Sequence, residues 1–440
     1  MSLAEFFTAA WADRWPGLVP NAPSRGLTDW FSPPADASYD LYIVEFDDQG
    51  RPFEPQAIDR IIDRIDLTTR DSDPLIIVFV HGWKHSAADS DENMESFKRL
   101  LHASAHIEQL RAVPGARPRR IVGVYVGWRG LTFHWLQIAQ NFTFFGRSEG
   151  ALRVALGSVR ELFGRLSHIR NRSIATHSGA RLVLAGHSFG GLIVYSAVAE
   201  YLIGSLAAAE SASELVKPFG DLVLLINPAF EAARYLPVHA MLQGRTFAPG
   251  QQPVFMSITA SNDLATGMAF PAGRLFWPYK GASTNALERQ ARVNTMGHVP
   301  WMRTHVVSMG TVQHPKAGNG QGRFADLPTL DDDDRSRLLS AEDAAFRAFR
   351  DRYTGPDGRL VAGWTRTYSA GAVLRQTGPS NIGTPDPESA GSAPDNPFWV
   401  IEAAPEIVDG HNGIFKMVFL DFLRQAFDDT IRAQTPGETR

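Results

Sequence analysis

The sequence predicts a mixed α/β fold in which a mostly parallel central sheet carries helices on both faces. Two uninterrupted apolar runs, at 75–80 and 121–126, are rich in β-branched residues, which is typical of strands buried on both faces. A third run, 221–226, continues the pattern. Segments between them space their apolar residues at helical intervals, and alternation of buried strands with amphipathic helices favours a parallel sheet.

The chain begins with a segment that we interpret as a helix and an irregular lead-in, 1–37, before a main domain, 38–440. Phe6, Ala10 and Trp11 would face the core from the N-terminal helix. This stretch lacks the basic start of a secretory signal, which together with the absence of cysteine predicts a cytoplasmic protein. Delivery outside the cell by a route without a signal stays open.

The remaining elements follow from periodicity. Alternating apolar and polar residues at 39–46 predict a half-exposed strand. Helical spacing predicts helices over 55–64, 92–110, 149–169 and 335–353, with a closing helix over 414–427. Further strands are expected over 253–260 and 398–403.

Composition excludes several classes of function. The net charge is −4 and the basic residues are scattered, so no basic patch indicates a nucleic-acid partner. The absence of cysteine excludes disulfides, thiolate catalysis and Cys-ligated zinc. No apolar run reaches membrane-spanning length, so no integral membrane segment is expected. Two histidine pairs have the i, i+4 spacing of metal ligands, His81 with His85 and His102 with His106, but neither has a third ligand, so we interpret them as surface histidines.

The strongest chemical signal is Gly186-His187-Ser188-Phe189-Gly190, a G-x-S-x-G pentapeptide. The pattern recurs by chance in glycine-rich chains, so its setting carries the argument. A short apolar strand, 182–185, precedes it, and residues at helical spacing follow it. This is the setting of a nucleophile elbow, in which a sharp turn exposes the serine and only small residues fit beside it. The alternative is an ordinary Gly-Ser turn in the core.

Here the sequence resembles the α/β-hydrolase superfamily, and GHSFGG is similar to its esterase and lipase branches. The resemblance implies Ser188 as the nucleophile, followed along the chain by an acid and then a histidine. It also implies an oxyanion hole made of two backbone amides. Phe189 would supply one, and Trp83 of His81-Gly82-Trp83, directly after a buried strand, is the candidate for the other. An ordinary strand-to-loop turn, with His81 as a polar buttress, is the alternative.

Asp263 is the expected acid, because it follows the strand at 253–260. An Asx turn is the alternative role for this residue. His411 is the preferred base, in an Asp-Gly-His-Asn loop between the last strand and the closing helix, which is similar to the histidine loop of many α/β hydrolases. His298 and His305 compete with it, since the gap of 148 residues between Asp263 and His411 is long.

Three insertions elaborate the predicted domain. Residues 129–148 carry an apolar stripe that suits either a core helix or a lid over the site. Residues 264–304 carry an aromatic cluster, including Met268, Phe270 and Trp301, that is expected to line one wall of the pocket. Residues 306–396 are polar. Asp331–Asp334 is interpreted as a helix N-terminus, with a calcium site as the alternative. Candidate substrate-binding residues are the following: His187, Trp135, Phe142, Phe145 and Phe276.

The expected chemistry is hydrolysis of a carboxylic ester through an acyl-enzyme, with no cofactor and no metal. A small-molecule or lipid ester is the expected partner. Two alternatives remain open: an acyltransferase or amidase on the same fold, and a non-catalytic binding protein that retains the fold. The oligomeric state has no sequence signal.

Overall fold

A computed structural model describes residues 29–31, 39–82, 85–112, 117–128, 140–175, 179–272, 283–310, 332–377 and 392–434. The fold in this part of the chain is mixed α/β, built on one large sheet. Several expectations fall outside the described residues: the N-terminal helix, the start of the 129–148 insertion, Trp83, Trp135 and Phe276. The side chains of Phe142 and Phe145 lie outside as well.

Eleven strands form the sheet in the order β1-β2-β4-β3-β5-β6-β7-β11-β8-β10-β9. Their bounds are β1 Trp30–Phe31, β2 Tyr39–Phe46, β3 Leu75–Val80, β4 Ile121–Trp128, β5 Arg181–His187, β6 Leu222–Ile226, β7 Phe255–Ala260, β8 His305–Met309, β9 Thr365–Thr367, β10 Ala372–Gln376 and β11 Phe398–Ala403. Every pairing from β2 across to β8 is parallel. The outer pairings, β1 with β2, β10 with β8 and β9 with β10, are antiparallel. The expected parallel sheet is therefore the centre of a larger mixed one.

The helices are α1 Ala57–Asp71, α2 Glu92–Arg111, α3 Gln140–Leu156, α4 Ser158–Ala175, α5 Phe189–Ala208, α6 Leu236–Leu242, α7 Ala286–Val293, α8 Asp332–Tyr353 and α9 Met417–Gln434. Two buried clusters show that both faces of the sheet are covered. One joins the sheet to α1, α3, α4 and α5, and the other joins its opposite face to α2 and α9. Since alternate strand residues point to opposite faces, each central strand contributes to both clusters.

Strand β2 is buried along its whole length, so the expectation of a half-exposed strand is wrong. Tyr42 and Val44 pack under α1, while Leu41 and Ile43 enter the cluster on the other face. The polar residues that produce the alternation are also buried, and one of them, Asp40, forms an ion pair with Arg120. Their polarity therefore reflects internal pairing rather than contact with water.

The helix expected over 149–169 is two helices, α3 and α4, which break at Gly157. A Cβ atom on Gly157 would lie 2.4 Å from the carbonyl oxygen of Gly50. The amide of Ser158 donates to that same oxygen at 2.9 Å. The break thus seats the helix junction on the turn that follows β2, a contact that periodicity does not show.

The polar insertion 306–396 extends the sheet, because its described part contributes α8, β9, β10 and most of β8. The expected last strand, β11, consequently lies inside the sheet between β7 and β8. Arg424 of α9 ties the insertion to the core through its ion pair with Glu342 of α8. Asp421 and Asp428, on the same helix as Arg424, also pair with it. The described part of the long gap before His411 is thus structured chain. The described residues of the acidic run, 332–334, lie in the first turn of α8, where the helix dipole favours acidic residues.

Helix α5 is long and apolar enough to cross a membrane by length and composition alone, and 44% of its apolar window is buried. Its first turns pack against the sheet directly after Ser188, with Phe189, Leu192 and Ile193 buried. A core helix of a globular protein has this same composition. The helix therefore gives only weak evidence of a membrane span.

Candidate active site

Ser188 lies between β5, which ends at His187, and α5, which begins at Phe189. Its backbone has φ of 56° and ψ of −119°, which is a strained conformation for a residue with a side chain. The amide of Ser188 donates to the carbonyl of Ile226 at 3.0 Å, so the turn stays joined to the neighbouring strand β6. The serine is 3% exposed. This is the strand-turn-helix setting that the pentapeptide predicts.

The glycines of the pentapeptide are required by close contacts. A Cβ atom on Gly186 would lie 2.5 Å from the carbonyl oxygen of Gly190, and one on Gly190 would lie 2.1 Å from that of Val80. Both clashes are with backbone, which cannot move aside. On Gly191, a Cβ atom would lie 3.1 Å from Pro228, a tight contact that a small shift could relieve.

The structure brings Ser188, His411 and Asp263 together in one hydrogen-bonded chain. The Nε2 atom of His411 lies 2.8 Å from Oγ of Ser188. Its Nδ1 atom lies 2.8 Å from Oδ2 of Asp263. Because an ionised carboxylate only accepts hydrogen bonds, Nδ1 carries the proton and Nε2 presents a lone pair to the serine hydroxyl. This is the geometry that proton abstraction from a serine requires.

Asp263 follows β7 and is 2% exposed. Its Oδ1 atom accepts from the amides of Ala265 and Thr266, while its Oδ2 atom accepts from the Thr266 hydroxyl as well as from His411. Burial alone would raise the pKa of this carboxyl group, but the hydrogen bonds and charge of His411 and the hydrogen bonds of Thr266 outweigh it and lower the pKa. Asp263 therefore forms the Asx turn that was its alternative role, and it also contacts His411.

The loop that carries His411 is held by side chains from distant strands. Asn227, directly after β6, donates through Nδ2 to the carbonyls of Gly410 and His411 at 3.0 and 2.8 Å. Its Oδ1 atom accepts from the amide of Ala260 at the end of β7. Asn262 accepts from the amide of Gly410 at 2.9 Å. His411 is therefore positioned through the ends of β6 and β7, and Asp263 also follows β7.

His187 is buried beside this loop, with 1% of its surface exposed. Its Nε2 atom donates to the carbonyl oxygen of His411 at 2.8 Å, and the two imidazole rings lie 4.9 Å apart. Burial, followed by the nearby His411, lowers the pKa of His187 well below its ordinary value, so the ring is neutral. The structure thus places this candidate substrate-binding residue against the backbone of the histidine loop.

The loop after β3 passes directly against Ser188, since a Cβ atom on Gly82 would lie 2.9 Å from Cβ of Ser188. His81 anchors it: Nδ1 donates to the Gly82 carbonyl at 2.7 Å, and Nε2 accepts from the amide of Trp128 at 3.2 Å. Burial lowers the pKa of His81 to about 4. His81 is therefore a buried buttress, and its interpretation as a surface histidine is wrong.

Phe189 is the other half of the expected oxyanion hole. It is the first residue of α5, and its buried ring packs edge-on against Trp128 with centroids 6.3 Å apart. Its backbone amide therefore belongs to the first turn of the helix, immediately after Ser188. Helix N-termini carry partial positive charge, which favours a developing oxyanion. Its partner in the prediction, Trp83, lies outside the described residues.

The two competing histidines, His298 and His305, make their contacts with other residues. Nε2 of His298 lies 3.1 Å from the hydroxyl of Thr266, which in turn binds Oδ2 of Asp263. His305, fully buried in β8, is flanked by Trp364 and Trp399 with ring centroids 5.0 and 4.5 Å away. Of the three histidines, the structure places His411 against Ser188.

The aromatic residues expected to line one wall of the pocket are dispersed where the structure describes them. Met268 is 66% exposed, and Phe270 is buried. Trp301 packs edge-on against His239 with centroids 5.0 Å apart. Across the described residues, no cluster of three or more His, Asp or Glu side chains suits a metal ion. His102 and His106 do meet, with Nε2 atoms 2.9 Å apart.

Two residues that hold the site together, Asn227 and Thr266, were not predicted from the sequence. Asn227 sits in a left-handed backbone conformation, with φ of 44°, and is fully buried. Thr266 lies in a π-helical turn, Ala265–Ala269, after Asp263. The available signal was their position shortly after two neighbouring strands, β6 and β7. The carboxyl ends of neighbouring parallel strands meet at one edge of a sheet.

Comparison with known proteins adds little to this picture. No family model matches the chain, and no curated protein matches it either. Among solved structures, a Trichoderma reesei cutinase in complex with a C11Y4 phosphonate inhibitor overlaps 39% of this chain and 64% of its own, with 12% identity and a TM-score of 0.16. The phospholipase PlaB from Legionella pneumophila overlaps 55% of this chain and 48% of its own, with 12% identity and a TM-score of 0.25. The chain thus spans less than two thirds of the length of either structure, and the overlaps are too weak to define its fold.

Proposed function

We propose that this protein is a serine hydrolase that cleaves carboxylic esters. The observation that carries the proposal is the chain from Ser188 through His411 to Asp263, with both links at 2.8 Å. A serine in a strained turn, a histidine with one nitrogen on its hydroxyl, and a buried carboxylate on the other nitrogen form the constellation that activates serine. These three hydrogen-bonded residues follow the carboxyl ends of β5, β7 and β11, which supports an α/β-hydrolase fold.

In the proposed reaction, Oγ of Ser188 attacks the acyl carbon while Nε2 of His411 takes the hydroxyl proton. The tetrahedral oxyanion is held by the amide of Phe189 and, we propose, by that of Trp83. When the intermediate collapses, the ester C–O bond breaks and His411 returns the proton to the leaving alkoxide. Water then attacks the acyl-enzyme with His411 again acting as base, which releases the acid and restores Ser188.

Asp263 contributes by orientation. Its carboxylate fixes His411 in the tautomer with the proton on Nδ1 and stabilises the imidazolium that forms during each attack. The lowered pKa of Asp263 keeps the carboxylate ionised through the neutral range. For the acyl group, we propose an apolar chain or aryl group, on the basis of the aromatic composition of the 129–148 and 264–304 insertions.

The test is to incubate the protein with a fluorophosphonate probe and with p-nitrophenyl esters of increasing acyl length. We expect an adduct at Ser188 and ester turnover in the wild type. Ser188→Ala should lose the adduct and lower kcat by about 10⁴- to 10⁶-fold with its fold intact, as when a triad nucleophile is removed. A folded wild type that forms no adduct and turns over no ester would instead support the non-catalytic binding protein.

Competing nucleophiles then separate a hydrolase from an acyltransferase. Alcohols or amines added to the ester assay partition the acyl-enzyme between water and the added acceptor. For a hydrolase we expect the free acid as the main product at modest acceptor concentration. Acyl transfer that dominates over hydrolysis would assign the same triad to an acyltransferase.

A further inference from the structure

Thr266 and His298 form a second hydrogen-bonded pair next to Asp263. The Thr266 hydroxyl is 2.6 Å from Oδ2 of Asp263, the same oxygen that faces His411. The hydroxyl is also 3.1 Å from Nε2 of His298. Asp263 thus lies between two histidines, one in direct contact and the other reached through a threonine.

The direction of the protons follows from the chemistry of the groups. A hydroxyl has one proton, and the ionised carboxylate can only accept, so Thr266 donates its proton to Asp263. Its oxygen must therefore accept from His298, whose proton is on Nε2. The resulting chain runs in one direction, from His298 through Thr266 to the carboxylate. Hydrogen bonds arranged in this way polarise and strengthen one another.

Two glycines allow His298 to approach. A Cβ atom on Gly267, in the π-helical turn after Asp263, would lie 3.0 Å from Cε1 of the His298 ring. A Cβ atom on Gly297 would lie 2.0 Å from the hydroxyl of Thr259, so the turn that carries His298 sits directly on β7. π-Helical turns are rare and occur frequently at functional sites.

Burial keeps His298 neutral in the neutral range of pH, although two nearby carboxylates oppose it. Burial lowers the pKa of His298, the carboxylates of Asp263 and Glu402 raise it, and Arg303 lowers it, with a net lowering. Arg303 is itself paired with Glu402. A neutral imidazole supplies a hydrogen-bond donor without placing a second cation beside Asp263. His411 therefore has no competing cation at His298 when it becomes charged.

We propose that Thr266 and His298 are positioning residues that fix the carboxylate of Asp263 and set how strongly it stabilises the imidazolium form of His411. This inference rests on the proposed function of the Ser188 site. Thr266 takes up part of the negative charge on Oδ2, and the neighbouring amides hold Oδ1 in place. The orientation of His411 thus depends on a hydroxyl that contacts neither the serine nor a substrate.

The direct test is Thr266→Val, which keeps the branched shape and removes the hydroxyl. We expect kcat to fall by about 10- to 100-fold, the range for losing a hydrogen bond to a charged group, with KM changed by less than about 3-fold. Without the Thr266 hydroxyl, the full negative charge on Oδ2 of Asp263 faces His411 and favours its imidazolium form. The acidic limb of the pH profile of kcat/KM should therefore move to higher pH. Thr266→Ser restores the hydroxyl and should recover most of kcat and the position of the limb.

Thr295→Val is a matched control. Thr295 is fully buried in the turn that precedes His298, and its hydroxyl makes no hydrogen bond. The same change of side chain there should leave kcat and the acidic limb as in the wild type. A merely structural role for Thr266 would lower stability, measured by thermal unfolding, without moving the limb.

His298 is tested by a second pair of variants, which also serves if Thr266→Val does not fold. His298→Leu removes the donor to Thr266 and should lower kcat by about 3- to 10-fold, less than Thr266→Val, since the hydroxyl itself remains. His298→Gln can still donate and should lose less than His298→Leu.

The outcomes separate the two proposals. No Ser188 adduct and no ester turnover in the wild type would overturn the proposed function. An active wild type in which Thr266→Val matches Thr295→Val in both kcat and the acidic limb would overturn the positioning role alone. So would a Thr266→Ser variant that recovers nothing.

Discussion

The turn at Ser188 and the loop at His411 meet in one hydrogen bond, yet they are held in different ways. The serine turn is specified locally: strand, pentapeptide and helix are contiguous, and Gly186 and Gly190 meet backbone where a side chain would stand. The histidine loop is closed locally by a bridge between Asp409 and Gly413, but its position depends on side chains far away in sequence. One region is strained and prescribed by sequence, and the other depends on the assembled sheet.

This difference predicts different consequences when each region is perturbed. Changes at the serine turn act on the chemistry and on stored strain. Changes around the histidine loop act on orientation, and they should lower kcat more than they raise KM, because orientation matters most in the transition state.

The largest effect on orientation is expected for Asp263→Asn, which should lower kcat by about 10⁴-fold. The amide can donate to Nδ1 of His411, which selects the tautomer that leaves a proton on Nε2, where a lone pair is needed. The acidic limb of kcat/KM should move to lower pH, since the charge that favours imidazolium is gone. Steady-state kinetics across pH measure both effects, and an unchanged limb would contradict the orienting role.

The same substitution carries a stability signature. Because the pKa of Asp263 is lowered in the folded protein, its ionised form stabilises the fold above the pKa of an unfolded aspartate, about 3.9. This contribution is lost as pH falls through the lower folded value. Urea unfolding should therefore show the largest difference between wild type and Asp263→Asn near neutral pH, and a smaller one on acidification.

Sequence reasoning succeeded where the signal is local. The strands 75–80 and 398–403 were predicted with their bounds, and the helix after Ser188 was predicted from its spacing. Continuous apolar runs and helical periods depend only on neighbours in the chain. It failed where contacts are distant. Burial of β2 depends on helices on both of its faces, and the break at Gly157 depends on the turn at Gly50.

The residues of the site show the same difference between local signals and distant contacts. The order of serine, acid and histidine selected three residues that the structure brings together. Asn227 and Thr266 had no motif, because their contribution exists only after neighbouring strand ends meet. His411 was preferred over His298 and His305 for its place between the last strand and the closing helix, and the structure places its imidazole against Ser188.

Asn227→Gly tests the dependence of the histidine loop on distant side chains. Glycine accepts the left-handed backbone at this position without strain, so the variant removes mainly the hydrogen bonds to Gly410, His411 and Ala260. We expect kcat to fall by about 10- to 100-fold with KM little changed. Labelling of Ser188 by a fluorophosphonate should slow in parallel. Full activity in this variant would show that His187 and Asn262 hold the loop without it.

The smallest effect is expected in stability, at the serine turn itself. Ser188→Gly and Ser188→Ala both lack the nucleophile, but only glycine relieves a backbone held at φ of 56° and ψ of −119°. Relief of such strain, about 1–3 kcal/mol, exceeds the entropic cost of glycine in the unfolded chain, about 0.5–1 kcal/mol. Ser188→Gly should therefore unfold at a higher denaturant concentration than Ser188→Ala. Ala197→Gly, in the regular part of α5, is the control and should be destabilised by about 1 kcal/mol. If glycine at both positions destabilised equally, the turn would store no strain, and the serine would owe its placement to packing alone.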